Sequence, residues 1–206
     1  MYRWGSVGRM AKEDHAQLEA SLAAALDGQQ LSEAATLCIR GYGPQILGYL
    51  NGLLRNEGLA DEAFSRFAED LWKSVGSFRR ESSFRTWAYR VAWSAARDVQ
   101  GEAFRRRGRR LETAEISQLV NEVRESSAAW RKEDAQDKLD KLRAQLTPEE
   151  QTLLILRVNR ELSWKEVAEV MTTDEVPVDE AALRKRFERV KTRLRKLAEE
   201  AGVLGA

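Results

Sequence analysis

Residues 78–93 read Phe-Arg-Arg-Glu-Ser-Ser-Phe-Arg-Thr-Trp-Ala-Tyr-Arg-Val-Ala-Trp, a short polar loop running into a helix. Ser82 or Ser83 is positioned to cap that helix, because a serine oxygen accepts a bond from a free N–H of the first turn. Phe84, Trp87, Ala88, Val91, Ala92 and Ala95 recur at helical spacing and predict an apolar stripe for packing. Arg85, Tyr89, Trp93 and Arg97 follow at strict i, i+4 intervals and are expected on the other side. That second stripe alternates cation and aromatic, the combination that holds phosphates while stacking unpaired bases.

Working outward, the chain is helical on both sides of this stretch. Upstream, residues 11–27 predict an amphipathic helix with Leu18, Leu22 and Leu26 on one side, inside an N-terminal extension of residues 1–30. Ser32 is expected to cap a helix through Arg40, and Gly41-Tyr-Gly-Pro44 to kink or restart it. Ile46, Leu47, Leu50, Leu53 and Leu54 carry the next apolar face, which ends near Asn56-Glu-Gly58. A further helix over about 60–75 aligns Ala63, Phe64, Phe67, Leu71 and Val75. Short connections between these helices predict one bundle over 31–108, ending in Arg105-Arg-Arg-Gly-Arg-Arg110, whose expected role is contact with a nucleic-acid backbone.

Residues 109–135 carry Glu112, Glu115, Glu122, Glu125, Glu133 and Asp134 and read as a flexible acidic linker with some helical tendency. Residues 136–206 read as a second module. Thr147-Pro-Glu-Glu150 and Ser163-Trp-Lys-Glu166 are both capping boxes, and the first has proline at the opening helical position. The last helix begins near Asp179 and buries Leu183, Phe187, Val190, Leu194, Leu197 and Ala201. A short capped helix followed by a long one with Arg184, Lys185, Arg186 and Arg189 in its early turns predicts a helix-turn-helix that enters the major groove. The fold class expected is therefore all-α, with two small helical domains.

Composition narrows the function. The 206 residues carry a formal net charge of +1, so any nucleic-acid surface must come from local clusters rather than the sum. The one cysteine, Cys38, reads as a buried thiol, and the one histidine, His15, has no partner for metal binding or nucleophilic catalysis. No enzyme and no cofactor is expected. Without an apolar run long enough to cross a bilayer or an apolar signal segment, the expected compartment is the cytoplasm.

The stretch 78–92 resembles region 2 of bacterial RNA polymerase sigma factors of the extracytoplasmic-function (ECF) group, in the sigma-70 family. Leu162-Ser-Trp-Lys-Glu-Val-Ala-Glu-Val170 with Leu183-Arg-Lys-Arg-Phe-Glu-Arg-Val-Lys191 resembles region 4. The resemblance implies a protein that binds core RNA polymerase and directs it to promoters. Phe78, Arg79, Arg80, Glu81, Ser82 and Ser83 would then hold an extruded base of the −10 element, with Arg85, Tyr89, Trp93 and Arg97 along the melted strand. Arg184, Lys185, Arg186 and Arg189 would read the −35 element as duplex. Glu62, Ser65, Arg66 and Glu69 would contact polymerase, although the first three depart from the family's Asp-x-x-Gln-Glu pattern. The acidic joint would follow the polymerase channel, and an anti-sigma factor is a possible partner. Two other readings fit the residues: a stand-alone helix-turn-helix regulator, and a helical polymerase-binding adaptor without DNA recognition.

Overall fold

The structure, a computed structural model, describes residues 12–102, 114–133, 145–172 and 177–200. These are helical, with no strand among them: α1 Lys12–Asp27, α2 Leu31–Leu54, α3 Glu57–Ser74, α4 Phe84–Glu102, α5 Ala114–Glu133, α6 Pro148–Leu154, α7 Trp164–Met171 and α8 Glu180–Glu200. The all-α expectation is met. The described residues up to Ala129 form one compact unit, and those from Trp130 onward form a second.

In the first unit α2 is the central helix, packed against α1, α3 and α4. It runs unbroken through Gly41 and Pro44, where a kink or a restart was expected, so the helix does not restart there, and Ser32 lies inside it rather than capping it. The two glycines are sites of close approach. A Cβ on Gly41 would lie 2.3 Å from Leu18 Cδ2 of α1, and one on Gly43 would lie 3.0 Å from Val123 Cγ2 of α5. The core is aromatic and aliphatic: Tyr42, Tyr49, Phe64, Phe67, Phe84 and Tyr89 are all buried. Cys38 is buried among them, as expected, and burial pushes its thiol well above the ordinary range, with Glu19 adding to the shift.

Residues 114–129 correct the linker expectation. They are the greater part of α5, and Ile116, Leu119, Val120 and Val123 are all buried. Arg40 donates to Glu122 through Nε at 3.0 Å and Nη2 at 3.3 Å. Arg124 Nη2 donates to the Asp61 carbonyl at 2.7 Å and to Ser65 Oγ at 2.8 Å. The hydrogen bond from Arg40 lowers the Glu122 pKa. A carboxylate with a depressed folded-state pKa stabilises above its unfolded pKa and loses that contribution on acidification. The arginine cluster at 105–110 lies outside the described residues, as do the side chain of Trp130 and much of the joint.

In the second unit the capping boxes form as read. Glu150 N–H donates to Thr147 Oγ1 at 3.3 Å while Thr147 N–H donates to Glu150 Oε2 at 2.9 Å. The Ser163–Glu166 pair repeats the exchange at 3.2 and 2.7 Å. Thr147→Ala and Ser163→Ala are each expected to cost ~1 kcal/mol, read as a drop in melting temperature. Between the two boxes α6 ends in one wide π-helical turn, Ile155–Asn159. Arg157 then folds back, donating to the Leu162 carbonyl at 2.9 Å and stacking its guanidinium 5.0 Å from the Trp164 ring centre.

Candidate nucleic-acid interface

All four N–H groups of the first turn of α4 have partners, and this fixes the loop before it. Ser83, not Ser82, is the local cap: its Oγ accepts from Thr86 N–H at 3.0 Å, and its carbonyl accepts from Trp87 N–H at 3.1 Å. The other two come from α1, where Glu19 accepts from Phe84 N–H at 2.9 Å and Arg85 N–H at 2.8 Å. Arg80, with φ of 58°, is paired with Asp27 at the end of α1. Left-handed backbone at a non-glycine residue is uncommon.

The surface of α4 differs from the expected one. Tyr89 is fully buried and Trp93 is 4 % exposed, so neither is a surface residue. Tyr89 packs edge-on against Tyr49 of α2, with ring centres 5.7 Å apart. Arg85 is half-buried and lies 6.0 Å from the Tyr89 ring centre. Only Arg97 of the four is exposed. The physical reason is rotation: each step of four residues turns about 40° beyond a full circle, so a strict i+4 series walks around the helix. The exposed strip instead carries Arg90, Ser94, Arg97, Asp98 and Gly101, with half-buried Trp87 at its edge.

Trp87 belongs to an aromatic trio that the sequence reading assigned partly to the core. Phe78 lies 4.8 Å from Phe84 and 5.3 Å from Trp87, and Phe84 and Trp87 are 5.0 Å apart, ring centre to ring centre. Phe84 is buried, while Phe78 and Trp87 keep part of their surface beside exposed Arg79 and Arg90. Two partly open rings, with exposed Arg79 next to Phe78 in sequence and exposed Arg90 three positions after Trp87, suit a base face and a phosphate. Ser82 and Ser83 are half-buried in the loop, and Glu81 is exposed.

Residues 38–110 match the family model of sigma-70 region 2. The matched span contains the loop, the aromatic trio and the whole of α4. The match makes this part of the chain similar to region 2 of sigma-70 factors and extends over 73 of the 206 residues. A comparison with curated proteins finds no match.

The residues assigned to polymerase contact do not form an exposed patch on the first unit. Glu69 is 5 % exposed. The Arg66 guanidinium lies 3.2 Å from Asp98 of α4, with 15 % of the side chain exposed. Ser65 donates to the Asp61 carbonyl and accepts from Arg124. Glu62 is half-buried. Neighbouring helices α4 and α5 supply the partners of Arg66 and Ser65.

On α8 the cations divide. Lys185 and Arg189 are exposed, and with Glu150, Asp179, Ala181, Ala182 and Arg186 they line a groove of about 450 Å³. Arg184 pairs with Glu180 at 3.0 Å and lies 5.9 Å from the Trp164 ring centre. Arg186 leans toward Glu149 of α6 at 3.8 Å. Asp179 Oδ2 accepts from Ala182 N–H at 3.0 Å and caps the helix. Thr172 Oγ1 accepts from Val178 N–H at 3.1 Å, and residues 173–176 of this connection are outside the described set. Among the described residues there is no group of His, Cys, Asp and Glu that could hold a metal, and no helix is long and apolar enough to cross a membrane.

Proposed function

We propose that this protein is a cytoplasmic promoter-specificity subunit of RNA polymerase, a sigma factor of the ECF group. The observation that carries the reading is the region 2 match over a loop and helix with a half-open aromatic trio beside exposed arginines. Phe78, Trp87 and the loop residues Arg79 to Ser83 take an unpaired base of the −10 element, and Arg90 and Arg97 follow the strand backbone. Opening duplex DNA costs stacking energy, and a pre-formed aromatic site returns ~1–3 kcal/mol per base. The capped α7–α8 pair is a helix-turn-helix that docks on the −35 duplex, with Lys185 and Arg189 foremost. Tethering lets two weak modules act as one strong binder.

The test is binding to purified core polymerase followed by promoter-dependent transcription. Capture of core polymerase with transcripts from a defined start site supports the reading. Tight duplex binding without polymerase, and no transcription, would instead identify a stand-alone regulator. Within the duplex-binding module, Lys185→Ala and Arg189→Ala should each lower the salt dependence of promoter binding by about 1 in log–log slope. Arg184→Ala should do less, since Arg184 already has partners on its own unit. Anisotropy titrations over a salt series give this ranking.

A further inference from the structure

Helix α1 grips the loop at both ends. Asp27 holds Arg80 near the loop's start, and Glu19 holds the backbone of Phe84 and Arg85 at its end. Glu19 is itself oriented, because buried Tyr42 donates its hydroxyl to Glu19 Oε1 at 2.7 Å. Burial, and then the bond to Glu19, push the Tyr42 pKa up, so the phenol remains a donor. The packing of Leu18 against Gly41 sets how α1 lies on α2.

We propose that Glu19 is a positioning residue for binding of the unpaired strand. This rests on the reading of the loop and α4 as the strand site. Ser83 alone would suffice to start the helix, since it already serves two of the four N–H groups. A cap that arrives from 65 residues away does something a local cap cannot. It fixes the first turn of α4 to the bundle, and with it the direction in which the loop leaves. Phe78 and Trp87 flank that junction, so their separation depends on it. Glu19 acts through the backbone, and its carboxylate has no reason to meet a phosphate.

The test compares two variants of the full chain. Glu19→Gln keeps the size of the side chain but replaces one of its two acceptors with a donor. Leu22→Ala removes a fully buried side chain of the same helix and leaves both carboxylates that hold the loop, Glu19 and Asp27, in place. In complex with core polymerase, Glu19→Gln should weaken binding of a labelled single-stranded −10 oligonucleotide by about tenfold, the scale of one stacked base. Polymerase affinity should be unchanged. In the free chain, amide exchange at Phe84 and Arg85 should speed up. Leu22→Ala should lower the melting temperature at least as far yet retain strand affinity below its transition. Equal loss of strand affinity in both variants would make Glu19 a merely structural residue and overturn the proposal. Unchanged exchange at both amides would overturn it as well. If the unsubstituted chain fails to bind core polymerase, the reading of the surface falls and the strand role with it. The exchange experiment would still show whether Glu19 holds the loop.

Discussion

Trp93→Ala is expected to destabilise the first unit by ~3–5 kcal/mol, the usual cost of emptying a buried indole site. Trp93 is 4 % exposed, on the inward side of α4 with Tyr89, Ala92 and Ala96. Its loss should therefore lower every activity together, in proportion to the folded fraction, and show first as a lowered melting temperature. Trp87→Ala should behave differently. It gives up ring contacts with Phe78 and Phe84, worth ~1 kcal/mol, and stays folded. It should weaken binding of an unpaired −10 strand by about 5- to 150-fold, the equivalent of one stacked base. Duplex binding by the second unit should be untouched. Thermal melting and strand titration of both variants decide the matter. A Trp93→Ala protein that melts normally but loses strand binding would return the strand surface to the Arg85–Tyr89–Trp93 side.

The exchange of roles between Trp87 and Trp93 shows what was legible in the sequence. Helix positions and caps were: Thr147, Ser163 and Asp179 all cap as their residue types dictate. The existence of two faces on α4 was legible too, but not which residues each carries. A strict i+4 series looks like a stripe in text, yet it covers about 120° of arc in three steps. The series Arg90, Ser94, Arg97 and Gly101, at spacings of four, three and four and without an apolar side chain to bury, was the better guide to the exposed side. The alanines at 88, 92, 95 and 96 mark where other helices come close. The role of Glu19 was not legible. A carboxylate in a polar N-terminal helix gives no sign that it caps a helix 65 residues later; only the tertiary fold supplies the partner. For the same reason the exposed-looking series Glu62, Ser65, Arg66 and Glu69 could not reveal that Arg124 and Asp98 would occupy it.

Val120→Asp is expected to release α5 from the first unit. The segment reads as acidic and solvated because its glutamates dominate its composition. Its period says otherwise: Ile116, Leu119, Val120 and Val123 sit at i, i+3, i+4 and i+7, one continuous face, and all four are buried. Each such side chain contributes ~1.5–3 kcal/mol when fully buried, so the seat is apolar first and ionic second. The Arg40–Glu122 pair is solvent-exposed on both sides and adds register more than stability. A carboxylate at Val120, fully buried now, would cost several kcal/mol if left docked, because Arg124 one turn on is already engaged with Asp61 and Ser65. Undocking α5 is the cheaper outcome. Hydrogen exchange should show the amides of 114–129 losing protection while α2 and α3 keep theirs. If α2 and α3 lose protection in step with α5, the helix is an inseparable part of the core, and the joint begins only after it. If α5 leaves alone, Ser65 and the Asp61 carbonyl lose the Arg124 guanidinium. Core-polymerase binding by Val120→Asp then reports on the α3 face directly: tighter binding means that docked α5 competes with polymerase for it, and unchanged binding means that polymerase docks elsewhere on the bundle.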